Sequence, residues 1–469
     1  MAVAATVAAP ATASSGSARG GADTAYGQRS TWGAALDGVW RSDGYQQYLT
    51  VDQGRLRTYE MSAAGCLPGR NELTASRPGL RGGVPFRNAE GVRQLTLSAD
   101  GSAAARLSPA GSVGVQRLKR VATLPANCAS PPSDDPVHTF DVFWATLKEN
   151  YPFFHDKGID WDAVRERYRP QVDGNTSDDR LFTILSAMIE PLHDLHTSLS
   201  DGGDGPDGRR TVGLRPGTPY PTSEYLADVE KATRAQLPRE ARRYADGKVQ
   251  FADLPQGIGY LRITSFAAYG ERDDADADAR ILDAALDKIL TQGRIRTLRG
   301  LVVDLRFNGG GSDALGIQIA ERLTDRPYTA YTKRARNNPD DPASYTAGQP
   351  VRVRPASGVP RYTGGVAVLT GPLTISVGET FTQSLMGRHP APLRIGENTQ
   401  GVFSDTMDRS LPNGWSLTLP NEKYLNAAGS SYDGAGIPPQ RTEPVYAKDD
   451  VERLRDPALN RALRELRSR

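Results

Sequence analysis

The stretch GLVVDLRFNGGGS, residues 300–312, and its counterpart GGVAVLTGPLTISVGE, residues 364–379, decide the fold. Each opens on a short run of aliphatic and β-branched residues without polar alternation, the pattern of a strand buried on both faces. Each run then breaks into a glycine-bearing turn. Helical spacing follows both, over about 313–324 and from Glu379 to Gly387. Strand, turn and helix, repeated, predict an α/β layer with partly parallel strands. Further strands read outward from this pair: GIGYLRI at 257–263, LRIGE at 393–397 and the extended WSLTLPNEKYL at 415–425. An amphipathic helix is predicted over 277–292. The α/β core is assigned to 250–445, with a C-terminal helix over 446–469.

Upstream the period changes. Phe140, Phe143, Leu147 and Tyr151 fall at helical spacing, as do Leu181, Ile184, Leu185 and Met188. They predict a helical segment over 138–198. Before it, residues 31–125 alternate in short runs such as GVWRSDG (38–44) and YLTVDQGRLRTYEM (48–61), with Asp-Gly and Gln-Gly turns between them. That is the signature of β-hairpins, and a small all-β domain is expected. LPANCASPPSDDPV (124–137) is a Pro/Ser-rich linker. Residues 1–30 form an Ala/Gly/Ser-rich tail with triplets such as Ala11-Thr12-Ala13, readable as a secretory signal or as disorder. The whole is a multidomain α/β chain.

With 469 residues the chain can bury a large core without metals or bridges. Its 57 basic and 55 acidic residues leave a net charge of +2, too balanced for nucleic-acid binding by bulk electrostatics. No apolar run is long enough to span a membrane. Cys66 and Cys128 are the only cysteines, which excludes a disulfide-dense scaffold and a four-cysteine zinc site. They are either one bridge or two free thiols.

Four places carry candidate chemistry. Ser376 lies where a strand enters a helix, so neighbouring N–H groups and the helix dipole would favour a developing anion. Ser376-x-x-Glu379 is equally a capping box. The Gly309-Gly310-Gly311 turn after a buried strand can present backbone N–H groups as an oxyanion hole or phosphate nest. No Gly-Lys-Ser/Thr follows, so it is not a Walker loop. His193-Asp194-Leu195-His196 offers one general base or, with Glu190, a metal site; no His-Glu-x-x-His accompanies it. Tyr432-Asp433-Gly434-Ala435-Gly436-Ile437-Pro438-Pro439 reads as an Asp-Gly turn.

Taken in order, DLRFNGGG, TISVGE, GENTQG and YDGAGIPP resemble the C-terminal processing (tail-specific) serine protease family. The likeness is closest to its tricorn-core-like branch and covers roughly residues 138–445. The resemblance implies a ClpP/crotonase-like catalytic core with Ser376 as nucleophile. A lysine base, expected after Gly396-Glu397-Asn398-Thr399-Gln400-Gly401, is absent: Val402 and Phe403 follow. The histidine branch places its base in an Asp-x-His-Thr run, matched by Asp194-Leu195-His196-Thr197, so His196 is the implied base. Its orienting acid, usually Glu, is Asp433 here, and Thr197 is a candidate bridge between the two. The implied oxyanion donors are the N–H of Val377 and one from Gly309 or Gly310.

The resemblance thus implies a serine-type peptidase, cleaving peptide or unfolded-protein chains through an acyl-enzyme, with no metal and no organic cofactor. The start of the chain and the cysteine pair suggest export, and relatives suggest that oligomers can form. About 60 residues separate His196 from the strand at 257, too few for the PDZ domain many relatives insert. Rival readings are a non-proteolytic small-ligand binder on the same fold, an esterase with the same triad, and a metal-dependent hydrolase using Glu190, His193 and His196.

Overall fold

The chain's hydrophobic runs bury themselves in three layers, seen in a computed structural model describing residues 35–78, 82–130, 133–202, 208–219 and 221–468. The tail assigned to residues 1–30 lies outside the described residues.

The alternating segment folds as expected for hairpins, and it also closes. Nine strands form one antiparallel sheet in which Gln47–Asp52 pairs with both Gly38–Ser42 and Arg55–Ser62, so the sheet is a barrel. The last strand, Gln116–Val121, returns to Gly38–Ser42. The turn at Gln53-Gly54 shows how sequence sets register. Both residues have positive φ (48° and 81°), the geometry whose twist suits a two-residue hairpin. Trp40, Leu49, Leu56, Phe86, Leu97 and Leu118 point inward and fill the barrel.

Cys66, on the short strand Gly65–Pro68, is bonded to Cys128 in the turn after the barrel, with Cα atoms 5.0 Å apart. Closing 62 residues of chain removes unfolded-state entropy worth about 4 kcal/mol. Replacing both cysteines by serine is expected to lower the unfolding free energy by about that amount, read as a shifted urea midpoint.

Three helices follow. Asp135, Asp160 and Ser177 each accept a backbone N–H at the starts of Pro136–Asn150, Trp161–Tyr168 and Asp178–Ile189. Their buried faces, Phe140, Phe143, Leu147, Trp161, Leu185 and Met188, form one core. The first helix stops at Tyr151, held extended by Pro152. Just past the segment, Ser198–Ser200 pairs with Ser416–Pro420, locking the chain immediately after His196 into the main body.

The main body is a seven-stranded sheet. Ile258–Ile263, Gly300–Asp304, Gly365–Thr370, Leu393–Gly396 and Arg441–Thr442 run parallel. Arg242–Tyr244 and Val249–Leu254 add an antiparallel edge. Helices Ala275–Ile289, Asp313–Glu321 and Val377–Met386 cover one face. The helix Pro457–Arg467 covers the other through Leu459, Ala462 and Leu466. The continuous apolar runs of the central strands are explained by this double burial.

The C-terminal stretch expected as one helix is two: Lys448–Glu452, then Pro457–Arg467. The break falls where Asp456 caps the second helix and Pro457 occupies its first turn. Asp456 also grips Arg306, its Oδ1 and Oδ2 accepting from Nη1 and Nη2 at 2.7 and 2.8 Å. Arg306, 1% exposed, holds Asp304 with its remaining donors. The DLR turn is thereby tied to the far end of the chain. A further antiparallel sheet, built on Tyr328–Asn338, was not expected from the sequence. Between Ser200 and Val249 the described residues form short strands and the helix Ser223–Ala235, all built onto neighbouring layers, and no separate module stands there.

Candidate active site

Ser376 sits between two short parallel strands' ends and a helix. Leu373–Thr374 pairs with Phe307–Asn308, and the helix Val377–Met386 begins one residue after Ser376. An ordinary N-cap is extended; Ser376 instead has φ 54° and ψ −115°. Such a conformation costs a non-glycine residue about 1–3 kcal/mol and is kept only where the surroundings over-determine it. Glu379 does so. Its carboxylate, fully buried, accepts the N–H of Ser376 (3.2 Å), Gly401 (2.6 Å) and Val402 (2.8 Å). Burial pushes Glu379 up to about 7, against the pull of these donors.

The glycine loop lies against this turn. A Cβ on Gly310 would stand 2.7 Å from Ser376 Cβ and 3.1 Å from its Oγ, at φ 90°. Only glycine permits that approach. Asn308, fully buried, shapes the loop: its Nδ2 donates to the Ile263 carbonyl and its Oδ1 accepts the Gly310 N–H at 3.0 Å. The Gly309 N–H donates to the Thr264 carbonyl at 3.1 Å. Both glycine donors anticipated for an oxyanion are therefore engaged within the protein. The Val377 N–H makes no hydrogen bond among the described residues.

His196 follows a tight turn built by Asp194, whose Oδ1 accepts the His196 N–H (2.9 Å) and whose Oδ2 accepts the Tyr151 hydroxyl (2.7 Å). Burial lowers the imidazole's pKa, while the carboxylates of Asp194 and Asp405 and the Ser404 backbone oppose that shift. Its Nδ1 and the neighbouring Thr197 Oγ1 are both buried without a hydrogen-bond partner. Asp433 accepts the Phe403 N–H at 3.1 Å and the Ser431 hydroxyl. Burial pushes it up to about 7.

One segment connects these parts. Gly401 and Val402 bind Glu379, Phe403 binds Asp433, and Ser404 lies against His196. No hydrogen bond joins Ser376 Oγ, His196 and Asp433 to one another among the described residues. Such bonds are often loose before substrate arrives. Glu190 and His193 are exposed, and the described residues contain no group of three His, Cys, Asp or Glu able to hold a metal. Asn308 and Gly401 lie inside the motifs read from the sequence but have no role assigned there, and Ser431 and residues 402–404 lie outside them. Only the fold shows what they hold: Gly401 and Val402 grip Glu379, and Phe403 and Ser431 grip Asp433.

A serine held at a strained strand-to-helix turn against a glycine loop is the arrangement that exposes a nucleophile in serine hydrolases built on α/β scaffolds. The comparisons agree with that class. Peptidase family S41 matches residues 257–442, and the tricorn protease C1 domain matches residues 132–190. Residues 257–442 thus carry a domain similar to peptidase family S41. It is 29% identical over 188 residues to the carboxyl-terminal-processing protease of Picosynechococcus sp., a match spanning 40% of this chain and only 39% of that relative. A protein of Parabacteroides merdae, described as a candidate peptidase, superposes with a TM-score of 0.57 at 24% identity, covering 71% of this chain and 96% of its own. Mature CPAF complexed with lactacystin gives 0.50 at 13% identity, covering 71% and 97%. These two likenesses concern the fold. No described helix is long and apolar enough to cross a membrane.

Proposed function

We propose that the chain is an exported serine-type peptidase acting on peptide or unfolded-protein substrates through Ser376, His196 and Asp433, its catalytic layer being of the ClpP/crotonase-like kind. The observation that carries this reading is the strained Ser376 turn pressed against Gly310. As Ser376 Oγ attacks the scissile carbonyl, its proton passes to His196 and then to the leaving amine, giving an acyl-enzyme that water releases. Asp433 acts on the imidazole through Thr197 or an ordered water; each of its oxygens accepts one bond, from Phe403 and Ser431, and keeps a lone pair for a further donor. The Val377 N–H receives the oxyanion, joined by Gly309 or Gly310 once that amide turns from its internal acceptor. A missing donor of this kind costs about 10²–10³ in turnover.

A fluorophosphonate probe tests the reading. Labelling at Ser376 is expected; folded protein that resists the probe yet binds a small apolar ligand would instead favour a non-proteolytic role. Comparing ester with peptide substrates separates an esterase.

The acid–base groups also fix a pH profile. Reaction needs His196 neutral and Asp433 ionised, and both conditions arrive as pH rises. His196 is lowered, so Asp433, near 7, is the later of the two. The charged groups facing it are Asp194 and Glu379. kcat/KM is expected to fall as pH drops through about 7. In Asp433→Asn the residual activity should keep its limb at lower pH. A wild-type limb well below 6 would contradict this.

A further inference from the structure

The barrel lies outside both matched stretches, 257–442 and 132–190, yet its last hairpin turn holds two parts of the site. The first grip is on the glycine loop. Ser312 ends that loop and stands at the N-cap position of the helix Asp313–Glu321, where a serine hydroxyl ordinarily accepts a backbone N–H of its own helix. Among the described residues it makes no such bond. Its hydroxyl donates instead to the Gly111 carbonyl of the barrel at 2.6 Å, and the same carbonyl accepts the Ala314 N–H at 3.2 Å.

The second grip is on the segment that reaches the imidazole. One residue past Gly111, Ser112 Oγ donates to Asp405 Oδ2 at 2.5 Å. Lys333, buried, donates to the same carboxylate at 2.7 Å and to the barrel's Val113 carbonyl at 3.0 Å. Lys333 also pairs with Glu422 at 3.1 Å, and Glu422 Oε1 accepts the hydroxyl of the barrel's Tyr45 at 2.5 Å. Asp405 and Glu422 both hold Ser404: its Oγ donates to the Asp405 carbonyl at 2.6 Å and accepts the Glu422 N–H at 3.1 Å. Ser404 is the residue whose backbone bonds His196. The charges in this network are matched to one another, which suits them to holding a geometry.

We propose that the hairpin Gly111-Ser112-Val113 is a positioning element of the active site, gripping Ser312 on one side and Asp405 on the other so that the glycine loop and His196 keep their places about Ser376. Ser112 is a positioning residue that acts through Asp405 and Ser404. The inference rests on the peptidase reading and gives the barrel a part in turnover.

The test uses the full chain. Ser112→Ala keeps the backbone and removes the hydroxyl. Turnover and the rate of fluorophosphonate labelling at Ser376 are expected to fall together by about 10-fold, part of the ~10²-fold that a misplacement of about 1 Å costs. KM should move by less than about 2-fold, since the hairpin acts on the reacting groups and not on the bound chain. Gln349→Ala is the comparison. It removes the two hydrogen bonds, of 2.9 and 2.6 Å, that Gln349 exchanges with Val115 farther along the same hairpin. It should lower the urea midpoint yet leave turnover and labelling as in the wild type. Wild-type turnover in Ser112→Ala, a loss confined to KM, or an equal loss in Gln349→Ala would each overturn the proposal while the peptidase reading stands. If the wild type neither labels nor cleaves, the peptidase reading fails and the positioning proposal with it.

Discussion

Ser376→Ala is expected to abolish peptide cleavage, by about 10⁴–10⁶-fold, while leaving the fold intact. The size follows from its role: without the hydroxyl there is no acyl-enzyme, and only background hydrolysis is left. The stability follows from the hydrogen bonds. Glu379 holds the backbone N–H of residue 376, which alanine retains, and the segment 401–402 stays bound to the same carboxylate. Ser376→Gly separates strain from chemistry. It should be equally inactive but more stable than Ser376→Ala, by up to about 1–3 kcal/mol, because glycine adopts φ 54° without the steric penalty. Chromatographic assay of cleavage and urea unfolding read both effects. Undiminished cleavage in the alanine variant would sink the assignment of the nucleophile.

His196→Ala is the second large effect, nearly as severe in kcat and equally mild for the fold. Its backbone, not its ring, is what Asp194 anchors. Its Nδ1 is a buried atom without a partner, so removing the ring deletes one unsatisfied polar atom along with a single bond to the Ser404 backbone. Members of such a set act as a unit. The double variant with Ser376→Ala should therefore be no slower than either single variant. Multiplicative losses would mean that His196 works independently of Ser376, and its role as base would have to be given up.

What could be read in advance followed physical rules. Strands 258–263, 300–304 and 365–370 were legible because burial on both faces leaves unbroken apolar runs. The strand–turn–helix at Ser376 was legible for the same reason. The sheet built on Tyr328–Asn338 was not, since its inward positions include Lys333 and Arg336, charged residues buried only because carboxylates and carbonyls elsewhere meet them. Barrel closure was also hidden: hairpin signals are local, and the pairing of Val39 with Val121 is not. At the site, the residue types were visible but the occupancy of their hydrogen bonds was not. Nothing in Gly309-Gly310 announces that Thr264 and Asn308 already hold their amides.

The grip of Asp456 on Arg306 sets an order of events during synthesis. Arg306 stands three residues before Gly309, and its partner is made 150 residues later. Until then that guanidinium has Asp304 alone, one of the two carboxylates that make its burial tolerable. The DLR turn thus gains its full set of partners only when that helix has been made. One buried ion pair thus closes the turn before the glycine loop and the last helix of the chain together.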